Sequence, residues 1–172
     1  TLDETCRVEV PEMYSFYYGN LDLKIGTIAA SAEGDVRFIR CVNRADIVTT
    51  PVLRTGDSHE IVCSVSGLVA HADEVKFLDC SNEGKIMDIQ DNSDVVDIRV
   101  SGLVGRCGPV YGKENRIVSC TNRGNIFVSG NTSGSVSVGG LSSNYTFRID
   151  SCENHSVVKV NAHEGSAYVG GG

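Results

Sequence analysis

Four cysteines in this chain, Cys41, Cys80, Cys120 and Cys152, each stand three residues after a branched apolar or aromatic residue and two before an asparagine. The copies read Phe38-Ile39-Arg40-Cys41-Val42-Asn43, Phe77-Leu78-Asp79-Cys80-Ser81-Asn82, Ile117-Val118-Ser119-Cys120-Thr121-Asn122 and Ile149-Asp150-Ser151-Cys152-Glu153-Asn154. A thiol at one repeated position suggests a soft metal, a disulfide, or burial as a small apolar group. Zinc is disfavoured, because no Cys-x-x-Cys pair occurs. The expectation is a column of buried cysteines rather than a disulfide framework. Stacked strands lie about 4.8 Å apart, inside the span a disulfide can bridge, so oxidised pairs stay open. Cys6, Cys63 and Cys107 fall outside the repeated position, and the odd total of 7 leaves one thiol over in a lone chain.

Other residues that could do chemistry are sparser. The stretch Asp88-Ile89-Gln90-Asp91-Asn92-Ser93-Asp94-Val95-Val96-Asp97 gathers acids, and Asp91, Asp94 and Asp97 are the candidate oxygen ligands for a calcium ion. The run lacks the glycine and closing glutamate of an EF-hand loop, and a solvated turn between strands is the favoured reading. His59, His71, His155 and His163 have no metal-ligand spacing. Gly112-Lys113 has Glu114 where a phosphate loop needs Ser or Thr. No nucleophile elbow and no His-Glu-x-x-His are present. The expected catalytic set, cofactor and resident metal are therefore none.

The elements that position these residues repeat with them. The cysteine steps are 39, 40 and 32 residues, within the roughly 20–50 of solenoids and propellers. Each unit has three short apolar pieces. A Gly-Leu piece (Ser66-Gly67-Leu68-Val69-Ala70, Ser101-Gly102-Leu103-Val104-Gly105, Val138-Gly139-Gly140-Leu141, more weakly Ile25-Gly26-Thr27-Ile28-Ala29) precedes the piece ending at Cys-x-Asn. A third follows a turn, as at Glu83-Gly84-Lys85-Ile86 and Arg123-Gly124-Asn125-Ile126. All are rich in Val, Ile and Phe and bounded by Gly, Asn, Asp and Ser, which reads as strands and turns. The fold class expected is all-β, a right-handed parallel β-helix of about four coils, with a β-propeller fragment as the alternative. Coils are expected at roughly 25–60, 61–98, 99–134 and 135–172, after a non-repeating cap over 1–24. Asn43, Asn82, Asn122 and Asn154 sit at the bend, where Asn tolerates left-handed backbone and stacked amides can form a ladder. Gly84 and Gly124 are expected to supply positive φ there, and Ala45 and Ser156 in their place should make the outer turns less regular.

Composition limits partners. The formal charge is −7, and residues 1–35 hold seven acids against Arg7 and Lys24. With no basic stripe, nucleic acid and anionic membrane are not expected partners. No apolar run approaches the roughly 18 residues of a membrane span. Tyr14-Ser15-Phe16-Tyr17-Tyr18 concentrates aromatics in the cap. Three glycosylation sequons occur, at Asn131, Asn144 and Asn154, of which Asn131 and Asn144 are the candidate acceptors. Tyr168-Val169-Gly170-Gly171-Gly172 looks like the opening of a further unit, so the expectation is a segment of a longer array.

The Gly-Leu piece with the Cys-x-Asn-x-Gly-x-Ile turn resembles the GLUG-type repeats of bacterial and protist surface proteins. Gly102-Leu103-Val104-Gly105 with Cys120-Thr121-Asn122-Arg123-Gly124-Asn125-Ile126 carries the likeness, and Gly67-Leu68-Val69 with Cys80-Ser81-Asn82-Glu83-Gly84-Lys85-Ile86 repeats it. The resemblance spans roughly residues 25–172, with departures at Thr27 and Ala45. It implies an extracellular or cell-surface, adhesin-like β-helical glycoprotein. The function expected is a non-enzymatic structural or adhesive repeat module. Its partners would be neighbouring chains or repeats and host or matrix glycans. The alternative is a carbohydrate-binding or polysaccharide-lyase-like β-helix, in which Arg99 would serve beside the acidic run.

Overall fold

The computed structural model describes residues 7–10, 21–50, 61–91, 95–107, 115–131, 134–144, 147–162 and 165–170. These contain strands and no helix, and no helix long and apolar enough to cross a membrane occurs among them. After β1 (Arg7–Val10), the first repeat holds β2 (Leu21–Gly26), β3 (Ala29–Ile39), β4 (Val42–Asn43) and β5 (Asp46–Thr49). The second holds β6 (Ile61–Ser66), β7 (Val69–Leu78), β8 (Ser81–Asn82) and β9 (Ile86–Asp91). The third holds β10 (Val95–Ser101), β11 (Val104–Cys107), β12 (Asn115–Val118), β13 (Thr121–Asn122) and β14 (Ile126–Asn131). The fourth holds β15 (Ser135–Gly139), β16 (Phe147–Asp150), β17 (Glu153–Asn154) and β18 (Val158–Ala162), and β19 (Ser166–Gly170) follows.

Equivalent strands of successive repeats pair in parallel, building four sheets. Sheet I is β2, β6, β10, β15 and β19. Sheet II is β3, β7, the pair β11 and β12, and β16. Sheet III is β4, β8, β13 and β17, and sheet IV is β1, β5, β9, β14 and β18. The chain visits sheets I to IV in turn, then re-enters sheet I one strand along. Propeller blades are antiparallel sheets, so these pairings do not form them.

Several local expectations need correction. A repeat has four strand positions, not three, because Cys-x-Asn closes on its own two-residue strand in sheet III. Gly67-Leu68 and Gly102-Leu103 are corners between sheets I and II rather than strand interiors. The boundary expected at residue 24/25 cuts β2, whose Leu21 is already in register with Ile61, and β1 of the expected cap pairs with β5. The boundary at 98/99 likewise cuts β10. Apolar alternation runs through corners without a break, so it marks burial but not where the chain turns.

Burial separates two lobes of core. Between sheets I and IV the in-register columns Ile25–Val65–Val100–Val138 and Ile47–Ile86–Ile126 face each other. The second lobe fills sheet II with Val75, Phe77, Ile117 and Phe147 beneath the corner residues Leu68, Leu103 and Leu141. Phe38 and Phe77 stack there at 5.1 Å. No repeat could bury such a face alone. Each column is completed by its neighbours, at about 2–3 kcal/mol per large side chain taken from water.

Candidate functional site

The asparagines form a continuous chain of amides between the two lobes. Asn43 Nδ2 donates to Asn82 Oδ1 at 2.7 Å, Asn82 Nδ2 to Asn122 Oδ1 at 2.9 Å, and Asn122 Nδ2 to Asn154 Oδ1 at 3.0 Å. Asn43, Asn82 and Asn122 are wholly buried. Each amide also ties its own turn: Asn82 Nδ2 donates to Gly84 O at 3.0 Å, and Asn43 Oδ1 accepts from Ala45 N at 2.9 Å. In the fourth repeat the Ser156 hydroxyl enters the column, accepting from Asn122 Nδ2 at 2.9 Å and donating to Asn154 Oδ1 at 2.7 Å.

The left-handed residue of this bend is not the asparagine or the glycine after it. It is the residue before each cysteine: Arg40, Asp79, Ser119 and Ser151 have φ of 52°, 53°, 51° and 52°. Gly84 and Gly124 are needed for close approach instead. A Cβ on Gly84 would overlap the Ala45 carbonyl oxygen, and one on Gly124 the Gly84 carbonyl oxygen. At the opposite corner, a Cβ on Gly67 or Gly102 would run into the amide of Asn82 or Asn122. The glycines thus clear the space that the amide column occupies.

The repeated cysteines stack beside them in the second lobe. Cys80 N donates to Cys120 Sγ at 3.3 Å, and Cys120 N to Cys152 Sγ at 3.4 Å. Cys80 and Cys120 are buried, Cys41 and Cys152 half-buried, and no disulfide joins the six described cysteines. Burial pushes the Cys41 and Cys152 thiols up, and that of Cys63 well up. Hydrogen bonding from the Cys120 thiol, against the opposing effect of burial, brings Cys80 down to about 6, and Cys120 is raised by the same partnership. The pair therefore shares one more easily lost proton and holds the next one tightly.

The acidic run is split across the molecule. Asp88 points into the core of the first lobe, where it accepts a hydrogen bond from the Thr49 hydroxyl. Asp97 lies on the outer face of sheet I. Its Oδ2 accepts from Arg99 Nε at 2.7 Å and also from Nη2, while its Oδ1 accepts from the Ser135 hydroxyl at 2.7 Å. Asp91 ends β9 with its side chain outside the described part, and Asp94 lies outside the described residues. Among the described residues no group of three or more His, Cys, Asp or Glu could hold a metal. Asn144 Nδ2 donates to Cys107 O at 3.4 Å; the side chain of Asn131 and the aromatic run 14–18 lie outside the described part. His155 pairs with Glu153 at 2.8 Å, and His59 and His163 are not described.

A feature that sequence reasoning missed is a groove of about 990 Å³ between β10, β15 and β19 of sheet I on one side and β11 with the residues after Leu141 on the other. Arg99, Ser137 and Tyr168 face it from one in-register column of sheet I, and Arg106, Ser143 and Asn144 from the other side. The spacing of Arg99 and Arg106 around a Gly-Leu corner was the available signal. No family model matches the chain, nor does any curated protein or solved structure.

Proposed function

We propose that the chain is a right-handed parallel β-helix of about four coils, acting as a non-enzymatic structural or adhesive module of a cell-surface or secreted protein or filament. The observation that carries this reading is the amide column. Its donors and acceptors match from Asn43 to Asn154 without a break. The residues that recur in every unit serve to register one coil on the next. Parallel crossovers are right-handed almost without exception, which supports the hand. The Cys-x-Asn-x-Gly turns and Gly-Leu corners support the likeness to GLUG-type surface repeats, and with it an extracellular location, glycosylation and contact with neighbouring chains or glycans.

The test is retention on surfaces set against turnover. Beads carrying the chain are expected to hold to immobilised matrix polysaccharides under flow. The same chain, incubated with uronate polymers and calcium, is expected to release no unsaturated sugar ends. Calcium-dependent turnover would overturn the non-enzymatic reading in favour of a lyase-like β-helix. Adhesion no better than that of beads bearing an unrelated acidic protein would overturn the adhesive one.

A further inference from the structure

We infer that the groove between sheets I and II binds an acidic saccharide, one whose sugars carry carboxylates. Among the described residues, the charged ones lining it are Arg99 and Arg106, although the chain as a whole carries −7. Each is ion-paired, Arg99 with Asp97 and Arg106 with Asp22, so an incoming carboxylate would bind by sharing or exchanging these partners. The two guanidiniums stand on different sheets, either side of one corner, so a carboxylate between them meets N–H donors from both walls. Asp97 holds Arg99 through Nε and Nη2 only, which orients the side chain and leaves further donors of the planar fork outside that pair. Arg106 meets Asp22 at 3.6 Å, an exposed ion pair without a hydrogen bond, which costs little to exchange.

The rest of the lining suits sugar rather than a simple anion. Tyr168 is 63% exposed, and its ring offers a flat apolar platform next to hydroxyl and amide groups. Ser137 supplies a hydroxyl between Arg99 and Tyr168 in the same column. The opposite wall is braced, with Ser143 Oγ donating to Gly105 O at 3.3 Å and Asn144 Nδ2 to Cys107 O. One repeat back, the column reaches Ser64, whose hydroxyl is buried and has no hydrogen-bond partner among the described residues. Two arginines on an acidic chain do not suffice for nucleic acid, whose binding rests on neutralising many phosphates.

This inference requires only the groove; it holds whether or not the chain is adhesive in its native setting. The experiment is calorimetric titration of the whole chain with oligogalacturonate. Maltohexaose and a poly-glutamate peptide of similar length are the controls. Saturable binding of oligogalacturonate is expected, weakening as salt rises, with neither control bound. Arg106→Gln and Tyr168→Ala are each expected to lower affinity about tenfold or more, the loss typical of one charge-assisted hydrogen bond or stacked ring. Circular dichroism would show both variants folded, since both side chains are exposed or half-exposed. Arg99→Gln is made together with Asp97→Asn, so that no carboxylate is left unpaired, and should lose at least as much. Absence of saturable binding, equal binding of maltohexaose or of the acidic peptide, or full affinity in all three variants would each overturn the inference.

Discussion

A single amide in the middle of the column contributes more than an amide at its end. Asn82 accepts from Asn43, donates to Asn122 and to Gly84 O, and is wholly buried. Asn82→Ala strands the Asn122 oxygen and the Gly84 carbonyl, and each orphaned buried group costs about 1–3 kcal/mol. The expected loss is about 2–4 kcal/mol by urea unfolding, with an unchanged dependence on denaturant. Asn154→Ala, at a half-buried position with Ser156 beside it, should cost under about 1 kcal/mol. Equal losses would sink the idea that the column acts as a chain. A second residue-scale effect concerns His71, which is half-buried on sheet II. Burial lowers its pKa, as do Lys24 and Arg106, against Glu33 and Asp22, which raise it. The folded protein thus takes up this proton less readily than the unfolded chain, whose histidine titrates near about 6.5. The contribution to stability is complete above that value and is lost as pH falls through it towards the lowered folded pKa. His71→Asn should flatten this part of the stability–pH curve, and an unchanged curve would exclude His71 as its source.

At the scale of the element, the corners decide whether repeats can stack. Gly124 lies where a methyl would overlap the Gly84 carbonyl oxygen and come within 2.7 Å of Asn82 Nδ2. Gly124→Ala should therefore cost about 2–3 kcal/mol as an overpacked contact between backbones. Gly34→Ala, at φ 75° in open space, should cost only about 1 kcal/mol of backbone strain. Similar costs would show that stacking distance is not the constraint. The exposed Ser119, at φ 51°, gives the complementary test: Ser119→Gly should gain a few tenths to about 1 kcal/mol, and Ser119→Val should lose about 1–2 kcal/mol. Much of this is legible in the sequence itself. Apolar lead-ins and Asn-containing turns declare strands, and the shared spacing of Cys41, Cys80, Cys120 and Cys152 places them at one level of the repeat. The two-residue strands of sheet III were not legible, because two residues carry no period. Nor was the left-handed residue, since Arg40, Asp79, Ser119 and Ser151 share no side-chain type that announces it. The groove was hidden for another reason: Arg99 and Arg106 become neighbours only once the corner at Gly102 is folded.

For the whole molecule, stability should be graded along the stack rather than uniform. Apart from β1 with β5 and β19 with β15 at the two ends, every described strand pairing joins one repeat to the next, so each repeat is held chiefly by its two neighbours. The second and third repeats have both their faces covered. Val65, Phe77, Val100 and Ile117 are fully buried there, as are Asn82 and Asn122. In the fourth repeat the same columns reach Ile149 at 41% exposed, and then Val169 of β19 at 56%. Every residue of β19 is exposed. Fewer buried apolar contacts mean a smaller free energy of local opening. Hydrogen exchange is therefore expected to be slowest in β8, β9, β12 and β13, faster in β16 and β18, and fastest in β19. Asn82→Ala should raise exchange on both sides of the second repeat, while Asn154→Ala should affect only the fourth. Uniform protection from β6 to β18, or equal effects of the two substitutions throughout, would mean that the repeats unfold as one block. The amide column would then be one contact among many rather than what registers each repeat on the next.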